Sequence, residues 1–234
     1  MVWVALGLAA LLVVVAYWQL IIAEGAYLGP KVVALLYDWS ARRYDRIKQF
    51  EPIHDDWFLA LPLLYRLRHE PSPLVLDVAT GTARLPLALL RRPDFQGQVV
   101  GLDISGGMLR EARCKTRIHN ERVLLVQQDA MRLPFADNTF HAVTCLEALE
   151  FLPDLDGALR EMVRVLQPGG TLLITNRVGR EAWLLPGRAL RPRQLEALLA
   201  ALPLTDIRIR PWQMYYDLIW AEKEPGLQNS NGSL

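Results

Sequence analysis

Asp77, Asp103 and Asp129 each stand at or just beyond the end of an apolar run, and small residues follow the first of them. Leu74–Val78 passes into Ala79-Thr80-Gly81-Thr82-Ala83, where small side chains let the backbone turn tightly and approach a ligand closely. A helical pattern comes next, and its free N–H groups and positive dipole end suit an anionic group. The second run ends in Asp103, 22 residues beyond Gly81, a spacing at which a carboxylate meets the hydroxyls of a ribose. The third leads into Gln128-Asp129-Ala130. Each acid alone is also an ordinary turn residue, and Asp103 would serve to cap a helix starting near Ser105. Together they point to a nucleoside-like ligand that is not polyanionic. The dinucleotide fingerprint is absent: Arg84 in one register and Pro86 in the other takes the place of the third glycine. Either residue opposes a pyrophosphate site, which disfavours a nicotinamide cofactor.

These residues need strands and helices to hold them. Candidate strands are Leu74–Val78, Gln98–Asp103, Val123–Gln128, His141–Leu146, Thr171–Thr175, Asp206–Arg210 and Met214–Ala221, with helical patterns near 83–92, 106–117, 155–166 and 191–202. Such alternation predicts an α/β fold with a largely parallel sheet covered on both faces. Only Pro211–Gln213 separates the last two strands, so they should pair antiparallel at one edge. In open sheets of this kind ligands bind beyond the carboxyl ends of the strands. His141 reads as a packing residue entering its strand, Cys145 as an apolar strand-end residue. Trp183–Leu185 forms an apolar patch that suits packing on the last helix, a hydrophobic substrate or a bilayer.

The chain has 234 residues, 52% hydrophobic and 22% charged, enough for one sizeable domain and unlike a disordered chain. Twenty-six basic against 25 acidic side chains leave a charge of +1, so no nucleic-acid partner is expected. Two cysteines build neither a disulfide scaffold nor a zinc site. Residues 1–23 carry no charged side chain. As a helix of about 34 Å they match a hydrocarbon core of about 30 Å, with Trp3 and Tyr17–Trp18 near the two interfaces. The stretch lacks the basic start and the short apolar core of a cleaved signal, so a retained transmembrane helix is expected. Lys31, Arg42, Arg43, Arg46 and Lys48 follow it, and the positive-inside bias places the rest of the chain on the cytoplasmic side of a single-pass membrane protein. Residues 24–70 read as a connector with lid helices, broken by Pro52, Pro62, Pro71 and Pro73 nearby. Residues 71–223 read as the ligand-binding domain and 224–234 as a disordered tail.

Five ordered blocks then carry a family resemblance. VLDVATGTARL (75–85), VVGLDISGGMLREAR (99–113), QQDAMRLPFADNTFHAVTCLEALEFLPD (127–154), LREMVRVLQPGGTLLI (159–174) and YDLIWAEK (216–223) resemble the class I S-adenosylmethionine-dependent methyltransferases, in particular the quinone-biosynthesis group. The resemblance implies a Rossmann-like seven-stranded sheet whose last strand inserts antiparallel, and S-adenosylmethionine as cofactor. Asp77 with Ala79, Thr80, Gly81, Thr82 and Ala83 would hold the methionine moiety, Asp103 the ribose, and Asp129 with Ala130 the adenine. Ile104, Met108 and Leu146 would complete the pocket, and Tyr37-Asp38 and Tyr44-Asp45 look like the family's lid helix. Ala79 and Ala83 occupy positions that are usually glycine; binding should survive that exchange if φ stays negative there.

No catalytic base is assigned, and the candidates are Glu147, Glu150 and Tyr44. The segment Thr144–Phe151 resembles ubiquinone-pathway O-methyltransferases, whose Glu-x-x-Glu-His block would bind a metal. Here Phe151 replaces the histidine, so no metal is expected, although two carboxylates suffice for a hydrated Mg²⁺. Glu147 is expected beside the acceptor, and Glu150 capping or solvating the turn before Pro153. The function implied is membrane-anchored methyl transfer to a small apolar acceptor such as a quinone precursor. The alternative is a cofactor-binding pseudoenzyme acting as a membrane-tethered interaction module.

Overall fold

In the computed structural model, residues 1–226 are described; 227–234, most of the expected tail, lie outside the described residues. The central strands form where β-branched and leucine runs are buried on both faces. In β1 (Leu74–Val78) four of five side chains are buried, as a central parallel strand requires. It pairs with β2 (Gln98–Asp103) on one side and β4 (Phe140–Cys145) on the other, both parallel. Beyond β2 lies β3 (Val123–Gln127), and beyond β4 lies β5 (Leu166–Arg177). β7 (Tyr216–Lys223) inserts antiparallel between β5 and β6 (Leu204–Trp212), giving the order β3-β2-β1-β4-β5-β7-β6.

β5 reaches further back than the apolar run 171–175 indicates, because Leu166 pairs with Phe140 across an irregularity at His141. His141 accepts the Leu74 N–H at 3.0 Å through Nδ1, a structural role at the amino end of the sheet. The edge strand β6 carries Arg208, Arg210 and Pro211, residue types that discourage further strand pairing.

Helices α5 (Arg84–Leu90), α6 (Gly106–Thr116), α7 (Leu155–Val165) and α9 (Pro192–Ala200) cover the sheet. Leu76 and Val78 join Leu159 and Met162 in one core cluster; Val75 joins Leu85, Leu89 and Phe95 in the other. The Ser105 hydroxyl, not Asp103, caps α6 by accepting the Met108 N–H. Asp103 is thereby left to the turn.

Before the sheet, α1 (Val2–Tyr17) continues as a π-helical turn over Trp18–Ile22. This stretch is long and apolar enough to cross a membrane, and none of its hydrophobic length is buried inside the protein. Its end is tied down: Trp18 Nε1 donates to the Leu184 carbonyl at 3.0 Å, and the Trp18 ring packs on Tyr27. Next comes α2 (Pro30–Lys48), then the short helices α3 (Pro52–Asp55) and α4 (Leu61–Arg66). The short α8 (Gly179–Trp183) follows β5, and Trp183 at its end is 86% exposed, so it does not pack on α9.

Candidate active site

Register brings the carboxyl ends of β1, β2 and β3 level. Asp77 lies beside Gly101 and Thr144, and Asp103 beside Gln127. The Asp77 carboxylate accepts from the Thr80 and Thr144 hydroxyls, both at 2.7 Å. Burial pushes its pKa up to about 6 despite those donors. Asp103 accepts from the Ser105 and Gly81 N–H groups at 2.8 Å each, and burial pushes it too up to about 6. Its link to Gly81 fixes the turn after β1 against the end of β2. Ala79 (φ +54°) and Ala83 (φ +69°) both adopt the left-handed region, so the expectation of negative φ there is corrected. The turn needs left-handed residues at 79, 81 and 83, and two of the three carry the strain of a Cβ.

A cavity of about 90 Å³ opens against these strand ends. Ala79, Gly81, Asp103, Ile104, Asp129, Ala130 and Leu146 all line it. Asp77, Thr80 and Thr82 line a smaller neighbouring cavity of about 30 Å³ that shares Ala79 and Gly81. Ala83 and Met108 are buried and line neither cavity; Met108 belongs to the α6 cap.

The roof is α2. Asp38 accepts from the Ser105 hydroxyl and the Gly107 N–H, both at 2.6 Å, and a Cβ at Gly107 would lie 2.7 Å from the Asp38 Cα. Asp45 accepts from the Thr82 hydroxyl at 2.6 Å and pairs with Lys115. Tyr37 and Tyr44 close the cavity from above, and burial keeps both phenols protonated. Acceptor-rich strand ends, a small-residue turn and apolar walls suit a nucleoside, but ligand pockets span roughly 300–1,000 Å³. The roof must give way to admit one.

Glu147 is the wall between this cavity and a second one of about 700 Å³, and it lines both. Its φ is +52°, and its N–H donates to the Thr175 hydroxyl at 2.6 Å. Arg84 Nη1 reaches its carboxylate at 2.6 Å and Lys48 Nζ at 3.1 Å. Burial alone would raise the Glu147 carboxyl, but Lys48 and Arg84 outweigh it and hold it below the usual range. Arg84 also grips Asp55 through Nε and Nη2 at 2.9 and 2.7 Å.

The expectation for Glu150 is corrected. It neither caps nor solvates the turn: it is 1% exposed, pairs with Arg177 at 2.8 Å and accepts the Tyr216 hydroxyl at 2.7 Å. Burial raises its pKa although Arg177 opposes this, and its Oε2 has no protein partner. Among the described residues no three His, Cys, Asp or Glu side chains converge on a point. Phe151 meets Tyr37 edge-on, with ring centres 5.7 Å apart.

A family model described as a methyltransferase domain matches residues 76–174, the stretch that supplies these strand ends. The chain carries a class I methyltransferase domain. The cofactor of this class is S-adenosylmethionine. The chain is 38% identical over 145 residues to the demethylmenaquinone methyltransferase of Mycobacterium marinum, covering 62% of this chain and 59% of that protein. It thus spans about three-fifths of the length of this curated relative. Among solved structures it resembles the [4+2]-cyclase SpnF, with a TM-score of 0.69 and 23% identity over 85% of this chain and 98% of that one. A methyltransferase from Aquifex aeolicus that depends on S-adenosylmethionine matches with a TM-score of 0.56 and 20% identity, over 74% and 98%. At these identities the two structures establish the fold alone.

In this methyltransferase domain, sequence reasoning missed the basic side of the site. The pairing of Lys48, Asp55, Arg177 and Tyr216 with the two glutamates and Arg84 gave no signal, because their partners stand far away along the chain. Arg84 did stand out, though only as an obstacle to a pyrophosphate.

Proposed function

We propose that the protein is a membrane-anchored methyltransferase that uses S-adenosylmethionine to methylate an apolar quinone precursor. The observation that carries this reading is the meeting of two cavities at Glu147, one at the strand ends and one reaching the end of the apolar helix at Ile21 and Ile22. Relatives that are demethylmenaquinone methyltransferases support the acceptor class.

The cofactor, when bound, supplies an already activated methyl group. Asp103 offers its remaining lone pairs to ribose hydroxyls, and Asp129 and Ala130 stand at the base-binding end. Asp77 and the 79–83 turn hold the amino-acid end. Ile104 and Leu146 flank the nucleoside, and Tyr37 and Tyr44 keep water out from above. Glu147, ionised between Lys48 and Arg84, is a weak proton acceptor; it orients an acceptor hydroxyl by accepting its hydrogen bond. The basic residues after α1 favour a single-pass arrangement with the domain on the cytoplasmic side. Lys48 contributes less than its charge, being paired with Glu147.

Purified full-length protein, labelled S-adenosylmethionine and a prenylated naphthohydroquinone in detergent provide the test. The expected result is label in the extracted quinone. Cofactor binding with no transfer to any component of a membrane lipid extract would instead favour the membrane-tethered interaction module.

A further inference from the structure

We infer that the large cavity opens sideways onto the lipid–water interface, so that an acceptor enters head first while its hydrocarbon tail stays in the bilayer. The acceptor's identity rests on the methyltransferase reading; the opening rests on geometry.

Where lining residues are also exposed, the cavity meets its surroundings. Four of them are large and apolar: Ile21 at the end of the apolar helix, Ile47 at the end of α2, Leu184 after α8, and Tyr215 in the β6–β7 turn. Trp183 and Met214, 86% and 77% exposed, are the chain neighbours of two of these. Four segments remote in sequence therefore place apolar side chains around one mouth, a pattern that marks contact with an apolar partner. Gln49, Glu51, His54 and Gln213 line the same cavity and supply the hydrogen-bonding groups that a headgroup layer demands.

The partner is identified by depth. Trp18 lies near the end of the apolar helix, where indole rings settle at a membrane interface. Its hydrogen bond to the Leu184 carbonyl holds the 183–184 segment at that same level. The Tyr27 hydroxyl ties down the following residues through the Pro186 carbonyl at 2.8 Å. Along α2, Leu35, Trp39, Arg42 and Arg46 are exposed at three- and four-residue spacing, an apolar and basic stripe suited to an anionic leaflet. Deep in the cavity the lining turns polar at Arg84, Glu147, Arg177 and Tyr216. A ring bearing hydroxyl or carbonyl groups, joined to a long hydrocarbon, matches that gradient.

The test uses full-length protein with Cys114→Ser, carrying a nitroxide on a cysteine introduced by Trp183→Cys, Met214→Cys or Ile118→Cys. Each is reconstituted in vesicles of phosphatidylcholine and phosphatidylglycerol. Ile118 follows α6, at the end of the sheet opposite the cavities, and is 77% exposed. Labels at 183 and 214 should collide more with oxygen than with a water-soluble nickel chelate, and the label at 118 the reverse. Water-like collisions at all three positions would overturn the proposal.

In a second arm, the pair Trp183→Asp and Met214→Asp should raise KM at least tenfold for a prenylated hydroquinone in vesicles. Transfer to a tail-less, water-soluble hydroquinone should be unchanged. Equal losses on both acceptors would count against the opening. No transfer by the unmodified protein to either acceptor would overturn the methyltransferase reading, and the collision contrast would still decide the opening.

Discussion

Asp103 carries two duties, binding the turn after β1 and facing the nucleoside cavity, and its titration should separate them. Asp77 and Asp103 are both pushed up to about 6, above the ordinary 3.8. The folded chain therefore holds protons that the unfolded chain has released, and the ligand-free protein gains stability as pH falls from about 7 towards 4. Glu147 acts oppositely: held below its ordinary 4.5, it contributes stability that is lost as pH falls through its folded pKa. Thermal melts from acid to neutral pH should show a maximum near pH 5, not at neutrality. Cofactor affinity should move the other way, weakening below about pH 6 as Asp103 takes a proton. Asp103→Ala removes a charge-assisted bond of about 1.5–3 kcal/mol and should weaken S-adenosylmethionine binding by at least tenfold in calorimetry. Ala79→Gly relieves left-handed strain of about 1–2 kcal/mol against an entropy cost of about 0.4–1. A rise in melting temperature is expected.

Among the elements, α2 decides access. Its roof position depends on Asp38, whose carboxylate serves the α6 hydroxyl and N–H that α6 does not satisfy for itself. Asp38→Ala should cost about 1–3 kcal/mol and leave the sheet intact. Hydrogen exchange should then quicken in α2 but not in β1 or β4. The strand ends and the lid were legible in the sequence because each is local: an apolar run, a turn and a helix start lie within a few residues. Arg84–Glu147 and Arg177–Glu150–Tyr216 were not, since no spacing records a partner 63, 39 or 66 residues away. The register of β5 against β7 creates the latter group by pairing Arg177 with Tyr216. The left-handed alanines were hidden for another reason: only glycine advertises such a backbone.

For the whole molecule, the question is whether anchor and domain are separable. α1 has no buried residue, so its removal leaves both core clusters untouched. Protein starting at Glu24 should be soluble, melt cooperatively and bind S-adenosylmethionine within a few-fold of the full chain. What it loses is the Trp18–Leu184 bond, the Trp18–Tyr27 contact, the buried Ala23 methyl and the Gln19 and Ala23 carbonyls that accept from Gly25 and Ala26, about 1 kcal/mol for each hydrogen bond. Aggregation without binding would show that the helix belongs to the fold.

The insertion of β7 between β5 and β6 also orders events during synthesis. β5 leaves the ribosome with one side unpaired, and the strand that must cover it follows roughly 40 residues later, about 2–8 s at ordinary elongation rates. Through that interval Leu172, Leu173 and Ile174 offer a sticky template to any neighbouring nascent chain. β6 emerges first yet cannot shield them, because its native partner is the still unmade β7. A chain broken off after Trp212 would thus keep most of its sequence and still be a seed for aggregation, and delivery of the final strand is what ends the risk.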